Sequence, residues 1–319
     1  DHEDFSRYGG RGIEVCSEWS DFAVFRAWAE ANGYSADLTI DRENNDSGYN
    51  PANCRWISRV DQNRNRENNQ RPVAAPGMAV RGGVPVCWPW FGDLRRNPEA
   101  VQAHYQHDEA PAHGLVRGLD WQLLGIAEED GAVNLRFAFD SREQPLPGWP
   151  RDAAVHFDIR LGDDLQLRLE TQNRSDHPLT LSQALHTYFA VSDVRQVHVE
   201  GLQGCRYIDT LQDWQELRQE AAPGFAGETD RIYLDTPARL SIVDPAWGRR
   251  IHLDSTGSRS AVLWNPWVDK ARRLSQFPDE AWQNMLCIET ANLLEDVVQL
   301  ESDERHRLQL RLSSEATAP

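Results

Sequence analysis

Leu165-Gln166-Leu167-Arg168-Leu169-Glu170-Thr171 places a leucine on every second residue and a polar side chain between them. Successive side chains of an extended chain point to opposite faces, so this run predicts a strand with one buried and one wet face. Residues 308–312 repeat the pattern. Outward from these two, alternating or apolar runs recur at 132–139, 155–161, 179–191, 197–202, 231–234, 240–243, 250–253, 261–264 and 285–290. Gly, Pro, Asp and Asn punctuate them. Many short strands with few helical patterns predict a mainly β fold, an antiparallel sandwich or barrel. A short helix is expected over 98–107, and 313–319 is expected to fray.

The first 70 residues read differently. They carry 8 Arg against 13 acidic residues and are rich in Asn and Gly. Ser20-Asp21 precedes Phe22, Phe25 and Trp28, and Gly33 follows: an N-cap, an apolar stripe at helical spacing and a terminating glycine. A second helix is predicted over 58–68. Residues 38–56 read as one or two strands around a turn at Asn44-Asn45-Asp46-Ser47-Gly48. A length of 319 residues suits about two domains. The expected division is a small α+β module over 1–70 and a large β domain over 71–319.

Charge and composition narrow the function. Fifty acidic against 33 basic residues give a net charge of −17, which opposes broad binding to nucleic acid or anionic membranes. Lys270 is the sole lysine, so no Walker loop exists and Schiff-base chemistry would have to use that residue. Cys16, Cys54, Cys87, Cys205 and Cys287 are scattered and odd in number. That argues against a disulfide framework and for a reducing compartment. The spacing of Cys16 and Cys54 matches no zinc motif. No apolar run approaches a membrane span of about 20 residues and no leader is read. A monomeric, cytoplasmic chain with no membrane partner is expected. Twelve Trp suit either large core anchors or flat faces for stacking sugars or bases.

Four places demand a chemical explanation. The run from Arg81-Gly82-Gly83 to Trp90-Phe91-Gly92 is too broken by Gly and Pro for an ordinary strand, and its glycines let backbone approach a ligand. His113 and Arg117 flank Gly114. His186 and Glu289 each lie inside an apolar strand pattern, where an ionisable group is costly unless partnered. A bland account exists for each: a satisfied strand histidine, ordinary arginine ion pairs, tryptophans in the core.

In order, Arg81-Gly82-Gly83-Val84-Pro85, Trp88-Pro89-Trp90-Phe91-Gly92, His113-Gly114-Leu115-Val116-Arg117, Ala184-Leu185-His186-Thr187-Tyr188-Phe189, Asp230-Arg231-Ile232-Tyr233, Trp264-Asn265-Pro266-Trp267 and Glu289 resemble the hexose-6-phosphate mutarotases of the aldose-1-epimerase superfamily. The resemblance covers about residues 76–312. It implies a galactose-mutarotase-like β-supersandwich that interconverts the α and β anomers of a hexose 6-phosphate, glucose 6-phosphate foremost, without metal or organic cofactor. By the same resemblance His186 is the general acid and Glu289 the general base. Arg81 and Arg117 hold the phosphate, and Asp230 orients a sugar hydroxyl or His186. His113 hydrogen-bonds the sugar, and Trp88 or Trp264 stacks on it. Asp230 could instead pair with Arg231.

A second resemblance covers about residues 5–68. Tyr8-Gly9-Gly10-Arg11-Gly12-Ile13, Leu38-Thr39-Ile40-Asp41-Arg42, Asn53-Cys54-Arg55-Trp56 and Gln62-Asn63-Arg64-Asn65-Arg66 resemble a phage-type HNH homing-endonuclease module. It implies a ββα fold around one divalent metal. Asp41 stands at the acidic metal ligand, Asn53 at the residue bracing the metal loop, and Gln62 where the motif closes. Arg42 stands at the general base, and arginine cannot act as one near neutral pH. Weak DNA binding through Arg55, Arg59, Arg64 and Arg66 is the alternative function, attached to a remnant sugar enzyme. Asp41 and Asn53 equally suit a plain turn. The mutarotase relatives begin with several strands before the Arg-Gly-Gly motif. Here those strands are missing, so either they are dispensable edges or a sheet edge is left unpaired, which the N-terminal module could cover.

Overall fold

The computed structural model describes residues 13–35, 38–42, 44, 47–58 and 81–317. The chain divides into two compact units, Asp1–Val73 and Ala74–Pro319.

In the first unit a single turn of 3-10 helix, Ser17–Ser20, leads into α1 (Phe22–Ala31). The Asp21 side chain accepts from the Ala23 N–H at 2.8 Å and caps α1. Trp19 packs on Phe25 and Trp28 at ring distances of 5.1 and 4.5 Å, and Trp56 joins this aromatic cluster. β1 (Leu38–Arg42) pairs antiparallel with β2 (Cys54–Ser58). Asn53 closes the loop before β2: its Nδ2 donates to Asn44 O and Gly48 O, and its Oδ1 accepts from the Asn44 N–H. The helix predicted over 58–68 and the residue Gln62 lie outside the described residues.

The second unit is built on two large antiparallel sheets. The eight-stranded sheet runs, in spatial order, β10 (His198–Glu200), β14 (Arg239–Asp244), β15 (Arg249–Thr256), β19 (Arg305–Ala316), β7 (Leu165–Asn173), β6 (Ala153–Leu161), β5 (Ala132–Asp140) and β4 (Gln122–Glu129). The seven-stranded sheet runs β12 (Gln215–Arg218), β11 (Arg206–Asp209), β13 (Thr229–Leu234), β16 (Ser260–Asn265), β17 (Met285–Asn292), β9 (Gln183–Ala190) and β3 (Val86–Cys87). β8 (Leu179–Leu181) and β18 (Val298–Leu300) form a separate ribbon. Leu169, Ile242 and Leu253 of the first sheet and Leu185, Leu263 and Ile288 of the second belong to one buried core. The leucines that opened the sequence reading behave as their period requires: Leu167 and Leu169 are buried, while Gln166 is exposed.

Several local readings are corrected. The run 179–191 is two strands, because Ser182 leaves the ladder: its N–H donates to Pro89 O at 3.1 Å and its Oγ accepts from the Phe91 N–H at 3.0 Å. The helix expected over 98–107 is only α2 (Glu99–Gln102). Beyond it the chain turns so that the His104 ring accepts from the Thr180 N–H at 3.0 Å. The tail does not fray where expected, since β19 pairs with β15 as far as Ala316 and the Thr317 N–H donates to Gly248 O. Strand β4 is exposed along its length, with Leu123, Leu124 and Ile126 facing solvent, and bonds only to β5 among the described residues. No described helix is long and apolar enough to cross a membrane.

Candidate active site

The period of two decides what the seven-stranded sheet offers. On β9, β16 and β17 the residues Leu185, Leu263 and Ile288 take one face, and His186, Trp264 and Glu289 take the other. His186 stands directly opposite Glu289 in the ladder, and Asp230 stands opposite Trp264. A one-residue slip between β9 and β17 would put the two reacting groups on opposite faces. In register, His186 Nε2 lies 3.4 Å from Glu289 Oε1. Both side chains are buried, at 6 % and 2 % exposure. Tyr188 stacks almost parallel on the His186 ring at 4.9 Å, and Trp264 meets it edge-on.

Burial dominates the electrostatics. It pulls His186 down to about 3, with His113 and Arg117 adding to the effect. It pushes Glu289 well above the usual carboxylate value, and the nearby Asp230 pushes in the same direction. Charged forms are disfavoured in a low-dielectric pocket. Burial therefore favours the neutral forms, an uncharged imidazole facing a protonated carboxyl. The resemblance gave that proton to His186. The two assignments differ only by a shift across the 3.4 Å contact. His186 Nδ1 and Glu289 Oε2 are also buried without a hydrogen-bond partner. Such orphaned groups are costly and suit a site completed by a polar ligand.

A cavity of about 440 Å³ opens on this pair. His113 lines it with its backbone at φ 66°. The Gly92 N–H donates to His113 Nδ1 at 3.3 Å, which assigns the ring proton to Nε2. Burial, then Arg117 and Arg81, hold His113 down at about 3, so it is a neutral donor. Gly114 beside it has φ 80°, and a Cβ there would meet Trp88 O at 2.1 Å, so only glycine fits. Asp230 also lines the cavity, raised by burial and opposed by Lys270, whose Nζ lies 3.7 Å away. The alternative pairing of Asp230 with Arg231 is not made; Arg231 pairs with Asp209.

The structure brings together Arg81, His113, His186, Asp230, Trp264 and Glu289 on this cavity. Two expected residues are elsewhere. Trp88 is completely buried, donates to Thr171 Oγ1 at 3.1 Å and packs against Phe139 and Trp149, so it is a core anchor and cannot stack on a sugar. Arg117 lines a separate groove with Gly82, Val84, Trp121 and Phe157, although its charge is felt at His186 and Glu289. Sequence reasoning missed Arg96, Trp214 and Lys270, which also line the cavity. The sole lysine and the Arg95-Arg96 pair just after the Trp88–Gly92 motif were visible signals. In the first unit, Asp41 is buried and pairs with Arg55 at 3.3 Å. No cluster of three or more His, Cys, Asp or Glu side chains able to hold a metal exists among the described residues.

Comparison with known proteins gives the family. Residues 60–313 match the family model described as aldose 1-epimerase. A relative from Escherichia coli strain K12, named "Putative glucose-6-phosphate 1-epimerase", is 35% identical over 216 residues, covering 67% of this chain and 68% of the relative. A crystal structure of a "putative mutarotase" from Salmonella typhimurium is 28% identical with a TM-score of 0.66, covering 78% of this chain and 79% of that one. A galactose mutarotase related enzyme from Lactobacillus acidophilus shares the fold at 13% identity, with a TM-score of 0.57 over 74% of this chain and 83% of that one. The chain belongs to the aldose 1-epimerase family and is an enzyme of the isomerase class.

Proposed function

We propose that this chain interconverts the α and β anomers of a hexose 6-phosphate, glucose 6-phosphate foremost. The observation that carries the reading is the buried His186–Glu289 pair, in register at 3.4 Å. Ring opening takes a proton from the anomeric hydroxyl and gives one to the ring oxygen while the C1–O5 bond breaks. Rotation about C1–C2 then presents the other carbonyl face, and the protons return by the reverse route. One donor and one acceptor suffice. Burial favours the protonated, donor form of Glu289. The resemblance implies the opposite roles, His186 as donor to the ring oxygen and Glu289 as acceptor. Arg81 holds the phosphate, Asp230 and His113 Nε2–H orient sugar hydroxyls, and Trp264 walls the ring.

The test is anomer exchange of glucose 6-phosphate followed by NMR on the full chain. Glu289→Gln keeps shape and hydrogen bonding but cannot exchange the proton. It should slow exchange by about 10²–10⁴. An unchanged rate removes this mechanism.

For the first unit we propose an HNH-like module that does not cut. Asn53 bracing the loop through Asn44 and Gly48 supports the likeness. Arg42 at the general-base position and the Asp41–Arg55 pairing weigh against cleavage.

A further inference from the structure

Three cationic side chains line the catalytic cavity: Arg81, Arg96 and Lys270. Their electrostatic situations differ. Lys270 is neutralised by Glu228 at 3.1 Å and Asp230 at 3.7 Å. Arg81 and Arg96 have no carboxylate within ion-pair distance among the described residues. Asp93, the acidic side chain nearest to Arg96 in sequence, is taken by Arg95, whose Nε and Nη2 bind its two oxygens at 3.1 and 2.7 Å. Arg96 instead lies over the indole of Trp214, its Cζ 5.0 Å from the ring centroid. A guanidinium resting on an aromatic face keeps its in-plane N–H donors free.

Both sides of this stack are built firmly. Arg96 ends the 3-10 turn Leu94–Arg96, capped by Asp93. Asn97 fastens that turn: its Nδ2 donates to Phe91 O at 2.9 Å and Asp93 O at 3.0 Å, and its Oδ1 accepts from Ser182 Oγ. On the other side, Asp213 and Trp214 are consecutive non-glycine residues at φ 52° and 60°. Such left-handed backbone is unfavourable for a residue with a Cβ and persists only where its surroundings impose it. Here Asp209 imposes it, accepting from the Leu211 N–H at 3.1 Å and from Gln212 Nε2 at 2.9 Å. The strained turn delivers Trp214 to the cavity.

We propose that Arg96, held flat by Trp214, is a further phosphate ligand of this enzyme. The inference rests on the hexose 6-phosphate reading above. A sugar phosphate brings nearly two negative charges and three acceptor oxygens, as any phosphomonoester does. Arg81 and Arg96, neither with a carboxylate partner among the described residues, line the cavity that holds His186 and Glu289.

The experiment measures anomer exchange of glucose 6-phosphate by full-length wild type, Arg96→Ala, Arg96→Lys and Trp214→Ala, with inorganic phosphate as competing ligand. Arg96→Ala should raise KM about tenfold or more with kcat down less than threefold, and weaken phosphate inhibition by a similar factor. Arg96→Lys should recover only part of this loss, because an ammonium neither forks nor stacks. Trp214→Ala should raise KM by a smaller factor of about three. Thermal melts establish that each variant is folded. Unchanged KM and phosphate inhibition in Arg96→Ala would overturn the inference, as would a fall in kcat alone. Absence of exchange in wild type would instead overturn the function it rests on.

Discussion

Each unit of this molecule contains a buried carboxylate facing a basic side chain directly across an antiparallel ladder. Asp41 faces Arg55 between β1 and β2 at 3.3 Å. Glu289 faces His186 between β17 and β9 at 3.4 Å. The geometry is nearly the same and the chemistry is not. Arginine keeps its proton at any relevant pH, so the first pair is a fixed ion pair that organises a hairpin. Histidine, unlike arginine, gives up its proton in the physiological range, and burial favours the neutral form of both His186 and Glu289. The second pair is therefore able to take up and release a proton. A cross-strand pair becomes catalytic through the proton affinity of its basic member and its access to a cavity, not through its spacing.

The strongest way to break the comparison is to remove that proton exchange. Glu289→Gln and His186→Gln should each slow anomer exchange by about 10²–10⁴. Disrupting the other pair with Arg55→Met should leave exchange unchanged. A loss in Arg55→Met comparable to that in Glu289→Gln would show that the pairs are not independent in function.

The next effect is on stability against pH. His186 and His113 are held at about 3 in the folded chain against 6.5 unfolded. Between those values the unfolded chain binds more protons, so stability rises with pH and falls on acidification. Glu289 and Asp230 act oppositely, since their folded values lie above 4.5 and 3.8 respectively. They bind more protons when folded, so their share is lost as pH rises. Denaturant melts from pH 3 to pH 7 should show a positive slope from the histidines that becomes shallower in His113→Gln. An identical slope in that variant would contradict the buried, neutral state assigned to His113.

How much of this was legible beforehand divides along the same line. The strands announced themselves because alternation such as Leu165–Leu167–Leu169 is local. His186 and Glu289 stood out because each interrupts an apolar run. Their mutual register is set by pairing between strands remote in sequence, and no local pattern carries it. Trp88 shows the opposite failure. Its motif pointed to a ligand, but its ring is fixed by Thr171 on β7, a contact the motif does not contain. Arg96 and Trp214 reach the cavity from two separate turns, and only the folded chain brings them together. Ser182 broke a run that looked continuous because one hydroxyl and one N–H were claimed by residues 89 and 91.

The smallest expected effect is also the sharpest test of what separates the two pairs. Arg55→His would give the first unit a pair of the catalytic kind, a carboxylate facing an imidazole in register. Arg55 is half exposed, at 47 %, so solvent screens the interaction and the change should be worth about 1 kcal/mol or less. Its sign is nevertheless fixed. An imidazole beside a carboxylate has its folded pKa raised, so the pair stabilises fully below the unfolded value of about 6.5 and loses its contribution as pH rises through the folded value. Amide hydrogen exchange over Leu38–Arg42 and Cys54–Ser58 of the full chain reads this locally. The variant should exchange faster at pH 8 than at pH 6 once intrinsic rates are removed, while the wild type should show no such step. A step of equal size in the wild type would mean that Arg55 is not what keeps the Asp41 pair fixed. With no step in either protein, the cross-strand contact would be too weakly coupled to folding for the comparison to hold in energy as it does in geometry.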